Sequence, residues 1–235
     1  MFPKRYWFVI LTYVLMLVVT AIVPVGFHFG FGFDFFMTAI YTNIICFIIG
    51  VIIVLIIMKK DIKDEKNAHP LSGGKIFGWS VLGVFLAWVA QIIAVKIEMD
   101  ILGIDPNSAN TEVIVELTKL NPIFILIPAI LAPIFEELIF RKILFGTLHK
   151  KLHFFWAALI SSLIFGVLHM DLLHILIYVT MGFVFAYLYV KTKRIIVPII
   201  VHMSLNTITV LAQIFLDPEK LEQMQNNVSL IFFGG

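Results

Sequence analysis

The chain has 235 residues, 61% of them hydrophobic and 14% charged, well below the roughly one quarter charged that soluble domains carry, so water is not its main solvent. Its formal net charge of +2 is small and dispersed, which excludes the clustered basic face that nucleic-acid binding requires. The one cysteine, Cys46, lies in the middle of an apolar run, so it reads as a small buried hydrophobe and excludes an intrachain disulfide.

Taken in chain order, uncharged runs cover Tyr6–Phe33, Phe35–Met58 and Ile76–Val95, and a helix needs roughly 20 such residues to cross a bilayer. Lys4 and Arg5 precede the first run as they would in a secretory signal, but the run outlasts an h-region and no small-residue cleavage site follows, so it reads as an anchor helix. The aromatic crowd Phe27, Phe29, Phe31, Phe33, Phe35 and Phe36 reads as an interfacial belt. After the third run, Glu98–Lys119 is acidic and holds Asp105-Pro106-Asn107-Ser108, a turn followed by a helical stretch on the membrane surface. Leu120–Phe135 is a shorter apolar run with Pro122, Pro128 and Pro133, which predict a kink or break just before Glu136, and an eighth helix could start there. Leu152–Met170, Leu172–Val190 and Ile195–Leu216 complete the set.

The fold expected is therefore an all-α polytopic membrane protein of seven or eight transmembrane helices. Residues 1–96 form three N-terminal membrane helices, residues 97–120 an extracytoplasmic loop or surface helix, residues 121–216 a helical core that holds the unusual polar groups, and residues 217–235 a tail. With seven crossings, Lys4 and Arg5, Lys59 to Lys66, Arg141 to Lys151 and Lys191 to Arg194 all fall on one side. Retention of Lys and Arg in the cytoplasm then places the N-terminus inside and the tail Asp217–Gly235 outside.

Ionisable groups within a membrane are costly unless paired or wet, and so mark function. Three clusters qualify: Glu136-Glu137-x-x-x-Arg141, Phe165-x-x-x-His169 and His202-x-x-x-Asn206. Glu137 and Arg141, four apart, pair along one helix face, and Glu136 points about 100° away from Glu137, free to face something else. At 1.5 Å per residue, Glu136 lies roughly 18–20 Å, His169 about 22 Å and His202 about 10–15 Å from the cytoplasmic ends of their helices, so a carboxylate, two imidazoles and a carboxamide share one depth around mid-membrane. Such a set suits amide hydrolysis. The carboxylate takes a proton from water and later gives it to the leaving amine, one histidine orients that water, and the other histidine with the asparagine donates to the oxyanion. Alternatively Glu136, His169 and His202 are the ligand types of a catalytic zinc with an open position; the residues are compatible with zinc and with a metal-free glutamate mechanism alike.

These three motifs, each on its own apolar helix and in this order, resemble the CAAX proteases and bacteriocin-processing enzymes, the type II CAAX prenyl endopeptidase group of intramembrane proteases. The resemblance covers about Asn121–Leu216, and no motif position departs from the pattern; the soluble zinc-protease signature HExxH is absent. It implies a multi-helix membrane endopeptidase with Glu136 and His169 activating water, and His202 and Asn206 stabilising the oxyanion. Glu137, Arg141 and Phe165 then support the site, and the partners implied are the bilayer and a membrane-associated peptide or protein. Size and the family's distribution suggest a bacterial cell membrane.

Blander readings stand beside these. Glu137 and Arg141 could be a structural ion pair, His169 a ring satisfied by a backbone carbonyl, and His202 and Asn206 polar glue between helices. Asp171 reads as a short-loop aspartate rather than the orienter of His169, and His28, His69, His149, His153 and His174 read as loop or interface residues. The terminal Gly234-Gly235, faintly like the double glycine of bacteriocin leaders, reads as chance. Two rival functions are a non-catalytic regulatory or immunity protein of the same fold, and a transporter using the buried acid and histidines as a proton relay. The intact five-residue set disfavours the first, and the lack of matching broken helices in two halves disfavours the second.

Overall fold

The computed structural model describes residues 2–105 and 108–215. Part of the expected turn at Asp105–Ser108, the tail at residues 217–235 and the terminal glycine pair lie outside them. The regular structure among the described residues is all helical: α1 (Lys4–Phe31), α2 (Phe35–Ala68), α3 (Gly73–Ile101), α4 (Ala109–Leu120), α5 (Pro122–Leu148), α6 (Phe154–Leu168), α7 (Leu172–Thr192) and α8 (Ile196–Phe215). Six of these are long and apolar enough to cross a membrane, and α6 is a shorter apolar helix, a set compatible with the expected seven or eight.

Local chemistry sets the helix ends. Asp34 accepts from Met37 N–H at 2.7 Å to open α2, and Ser72 accepts from Lys75 N–H at 3.3 Å to open α3. Gly32, in the left-handed conformation at φ 73°, closes α1 as its N–H returns to the His28 carbonyl. The expected aromatic belt is exposed around this α1–α2 turn.

The α5 helix is the innermost. Of its most apolar stretch 56% is buried, against 17% in α1 and 22% in α3. Phe135, Leu138, Phe140 and Ile143 of α5 join Val9 and Met16 of α1, Val54 and Met58 of α2, Phe165 of α6 and Ile199 of α8 in one core. A second core joins Ala87 of α3 to Met181, Phe185 and Leu188 of α7 and Val197, Val201 and Leu205 of α8. Cys46 is free and half-buried beside the first core.

The prolines of α5 do not break it; they change its winding. A 3-10 turn at Pro122–Ile125 leads to a π turn at Ile127–Leu131, an α turn at Ala132–Glu136 and a long π segment at Glu137–Phe145. The physical reason is the proline ring, which clashes with the carbonyl four residues back and offers no N–H. Widening the turn before Pro133 relieves that clash, and the Ala132 N–H then bonds to the Ile127 carbonyl five residues back. The carbonyl of Pro128 is left without a helical donor, because its partner in the same register would be Pro133.

Close approach of α6 and α7 depends on Gly182. A Cβ there would lie 2.1 Å from Ser162 Oγ and 3.2 Å from its Cα, distances no side chain tolerates without moving a helix. Since α6 and α7 carry Phe165 and Phe185, Gly182→Val is expected to disrupt the folded protein by at least the roughly 1–3 kcal/mol of an overpacked core. A melting temperature for the purified variant equal to that of the parent would contradict this packing.

Candidate active site

The three motifs meet where α5, α6, α7 and α8 face one another. Glu137 is the centre: its Oε2 lies 3.4 Å from Arg141 Nε, and its Oε1 accepts from His202 Nδ1 at 3.0 Å. Both Glu137 and Arg141 have no exposed side-chain surface. The Glu137–Arg141 contact is an ion pair only, and none of the guanidinium nitrogens makes a hydrogen bond among the described residues. Instead the guanidinium lies over aromatic faces, 4.6 Å from the ring centre of Phe165, 5.4 Å from Phe185 and 6.0 Å from Phe140. A desolvated cation–π contact of this kind contributes about 2 kcal/mol, which helps a buried cation that has one carboxylate as its ion partner.

His202 is held on both edges and one face. Phe185 stacks on its ring at 4.8 Å and 24°, Glu137 takes Nδ1, and Glu136 Oε2 lies 3.7 Å from Nε2. The last distance is beyond a hydrogen bond and of a length that one water can bridge. A carboxylate only accepts, so the Nδ1 position carries a hydrogen and Nε2 is the atom turned toward Glu136. The two acids differ in access: the Glu136 side chain is 14% exposed and that of Glu137 is sealed. The expected divergence of the two carboxylates therefore holds for exposure but not for partners, because one imidazole with two nitrogens reaches both.

His169 closes α6 and borders this cluster. Its Nδ1 donates to the Phe165 carbonyl at 2.8 Å, which leaves Nε2 with a lone pair and no hydrogen-bond partner among the described residues. The ring rests against Phe165 at 4.4 Å and against Tyr178 at 4.3 Å, and Phe165 is 6.0 Å from the His202 ring. The backbone-carbonyl reading of His169 is thus present at one nitrogen and the other remains available for chemistry. Asn206 Nδ2 donates to the Pro128 carbonyl at 3.0 Å, the acceptor stranded by the π turn, so one of its two hydrogens anchors α8 to α5 and one is left. Among the described residues no group of three His, Cys, Asp or Glu side chains is arranged to hold a metal ion. Glu136, His169 and His202 are not drawn together as a zinc ligand set.

Other polar residues beside the site and farther along the bundle are placed in ways the sequence did not signal. Tyr178 stacks on His169 and its hydroxyl accepts from Asn110 of α4 at 3.4 Å; as one tyrosine in an apolar run it carries no sequence signal. Glu98, expected in an acidic loop, and His174, expected at an interface, are buried and bonded to each other at 2.8 Å. The physical reason is that α3 runs on through a π turn to Ile101, which carries Glu98 inside. Asp171 accepts from Ser108 at 2.6 Å rather than orienting His169, consistent with a loop aspartate; Ser108 also caps α4.

The comparisons with known proteins concern the sequence as a whole. The family model described as Type II CAAX prenyl endopeptidase Rce1-like matches residues 118–208, which include every motif residue. YdiL of Bacillus subtilis (strain 168), whose name assigns it provisionally as a membrane peptidase, is 40% identical over 239 residues, covering 98% of this chain and 98% of that protein. The membrane-embedded CAAX protease MroQ of Staphylococcus aureus (strain USA300) is 31% identical over 201 residues, covering 82% of this chain and 81% of MroQ. No solved structure matches the chain significantly. With such identity across almost the full length of both chains, this multi-pass membrane protein belongs to the Rce1-like CAAX protease family of membrane peptidases.

Proposed function

We propose that the chain is an intramembrane endopeptidase that hydrolyses a peptide bond of a membrane-associated protein or peptide precursor with water activated by Glu136 and His169. The observation that carries this reading is the unequal treatment of two adjacent carboxylates around one imidazole, Glu137 sealed and paired, Glu136 open and 3.7 Å from His202 Nε2.

Glu136 removes a proton from water as the oxygen adds to the scissile carbonyl, and Nε2 of His169 accepts from the same water to orient it. With both nitrogens protonated, His202 donates Nδ1–H to Glu137 and offers Nε2–H to the oxyanion of the tetrahedral intermediate. The second amide hydrogen of Asn206 is the other donor. The intermediate collapses as Glu136 passes its proton to the leaving amine, so water is consumed and two chain ends are released. Glu137 and Arg141 do not touch the reacting atoms. They fix the ring of His202 and keep the local charge balanced, two carboxylates against a guanidinium and an imidazolium. The side that gathers the lysine-rich loops is cytoplasmic on this reading, and the membrane is a bacterial cell membrane.

Glu136→Gln keeps the shape of the side chain and removes the proton acceptor. Cleavage by the purified variant is expected to fall by about 10²–10⁴ while the protein still accumulates in the membrane, and full turnover would sink the mechanism. Arg141→Met leaves Glu137 buried without its cation, at a cost of about 3–5 kcal/mol, so yield and melting temperature fall. Adding Glu137→Gln in the same chain restores most of that stability, and a double-mutant cycle reads the coupling. Glu137→Gln alone reduces turnover per folded molecule less than Glu136→Gln. For orientation, reporter fusions after Lys60 and after Arg194 are expected in the cytoplasm and a fusion near Gly103 outside; an external Lys60 fusion reverses the topology.

A further inference from the structure

At the end of the bundle where α2 and α5 finish and α8 begins, away from the carboxylate–imidazole cluster, a cavity of about 530 Å³ opens among residues of α2, α5 and α7 and the short connections that follow them. Its volume lies in the range of about 300–1,000 Å³ typical of small-molecule sites. The floor is neutralised internally. Glu65 is paired with Lys142 Nζ, accepts the Tyr189 hydroxyl at 3.2 Å, and takes the Ile195 N–H at 2.7 Å on its other oxygen. That carboxylate, from a residue 130 positions earlier in the chain, satisfies one of the orphan donors at the start of α8.

The rim is a different matter. Lys150, Lys193, His69 and His149 line it and are exposed, with Asp64 as the carboxylate among them. The ammonium groups of Lys150 and Lys193 have no ion-pair or hydrogen-bond partner among the described residues. Lys193 stands at φ 50°, ψ 30° as the residue that ends α7, a left-handed position where glycine is usual; the chain keeps a long cationic side chain there, and it faces this cavity's lining. The His149 ring is fixed by stacking on Phe145 at 5.1 Å and 15°. Two unpaired ammoniums and two imidazoles around one open cavity form a donor set for an anion with several acceptor oxygens, of which a phosphoryl group is the common case.

We propose that this cavity binds the phosphoryl headgroup of an anionic phospholipid, with Lys150 and Lys193 supplying the charge and His69 and His149 further donors. A lipid is favoured over free phosphate by position. The cavity sits where the apolar spans give way to Lys and Arg, the level of headgroups, and half-buried Val190 gives its lining an apolar side. Basic pockets between membrane helices recognise anionic headgroups in this way. Occupancy also bears on the helices of the active site, since the floor includes Lys142, five residues after Glu137, and holds Ile195, seven residues before His202.

The test uses the full chain purified in a neutral detergent, with phosphatidylglycerol, phosphatidylcholine or inorganic phosphate added. Bound lipid is read by native mass spectrometry and the melting temperature is followed in parallel. Phosphatidylglycerol is expected to bind and to raise the melting temperature, and phosphatidylcholine to do neither. The double variant Lys150→Gln/Lys193→Gln, at two exposed positions, should weaken phosphatidylglycerol binding about thirtyfold, whereas Lys59→Gln/Lys60→Gln, exposed on α2 outside the cavity, should leave it intact. Equal binding of phosphatidylcholine, or equal loss in the two double variants, overturns the site, because general attraction to a charged surface would then account for the result. Protection by inorganic phosphate without protection by phosphatidylglycerol overturns the lipid assignment.

Discussion

The arrangement rests on one carboxylate. Glu137 has no exposed surface, and a carboxylate removed from water is tolerated only with charge and donors around it. Arg141 supplies the charge from the next turn of α5, and His202 supplies a donor from α8. Each then imposes further demands. The guanidinium needs aromatic faces, which come from Phe165 on α6 and Phe185 on α7, and the imidazole needs a platform, which is Phe185 again. Four helices are thereby required at one depth, in a region where apolar packing alone distinguishes poorly between registers because lipid is as apolar as the core.

Glu136 inherits its role from what is done to its neighbour. The pair is adjacent in sequence, yet one side chain is committed to the interior and the other keeps an open edge beside His202 Nε2. The backbone contributes as well. The π turn before Pro133 strands the Pro128 carbonyl, and Asn206 satisfies it from α8, while Ser161 on α6 donates to the Phe140 carbonyl at 2.7 Å. Irregular winding at membrane depth is tolerated where neighbouring helices supply such donors. The same bonds hold α6 and α8, the helices of His169 and His202, against the helix of the carboxylates.

Two further polar ties brace the bundle away from its centre. At the end reached by the acidic loop, Glu98 and His174 join α3 to α7, and Ser108 joins the start of α4 to Asp171. At the other end Glu65 gathers Lys142, Tyr189 and the Ile195 N–H. In a bilayer these ties fix how far α3, α7 and α8 slide along α5, since the apolar side chains between them tolerate sliding better than a buried carboxylate tolerates losing its donors.

Membrane class, helix content and the three motifs were legible in the sequence because they depend on local properties: run length, the absence of charge, and spacings of four residues that place two side chains on one face. The Glu137–Arg141 pair is such a local fact. What Glu137 and Asn206 do besides was not legible. That Glu137 also holds His202, that Asn206 bonds a backbone carbonyl, and that Glu98 and His174 are partners 76 positions apart are decisions of tertiary structure, because each depends on which helices neighbour one another. The prolines of α5 signalled a disturbance, but whether the helix breaks or rewinds is settled by the donors available around it. Sequence spacing determines which side chains share a helix face; only the packed bundle determines what that face meets.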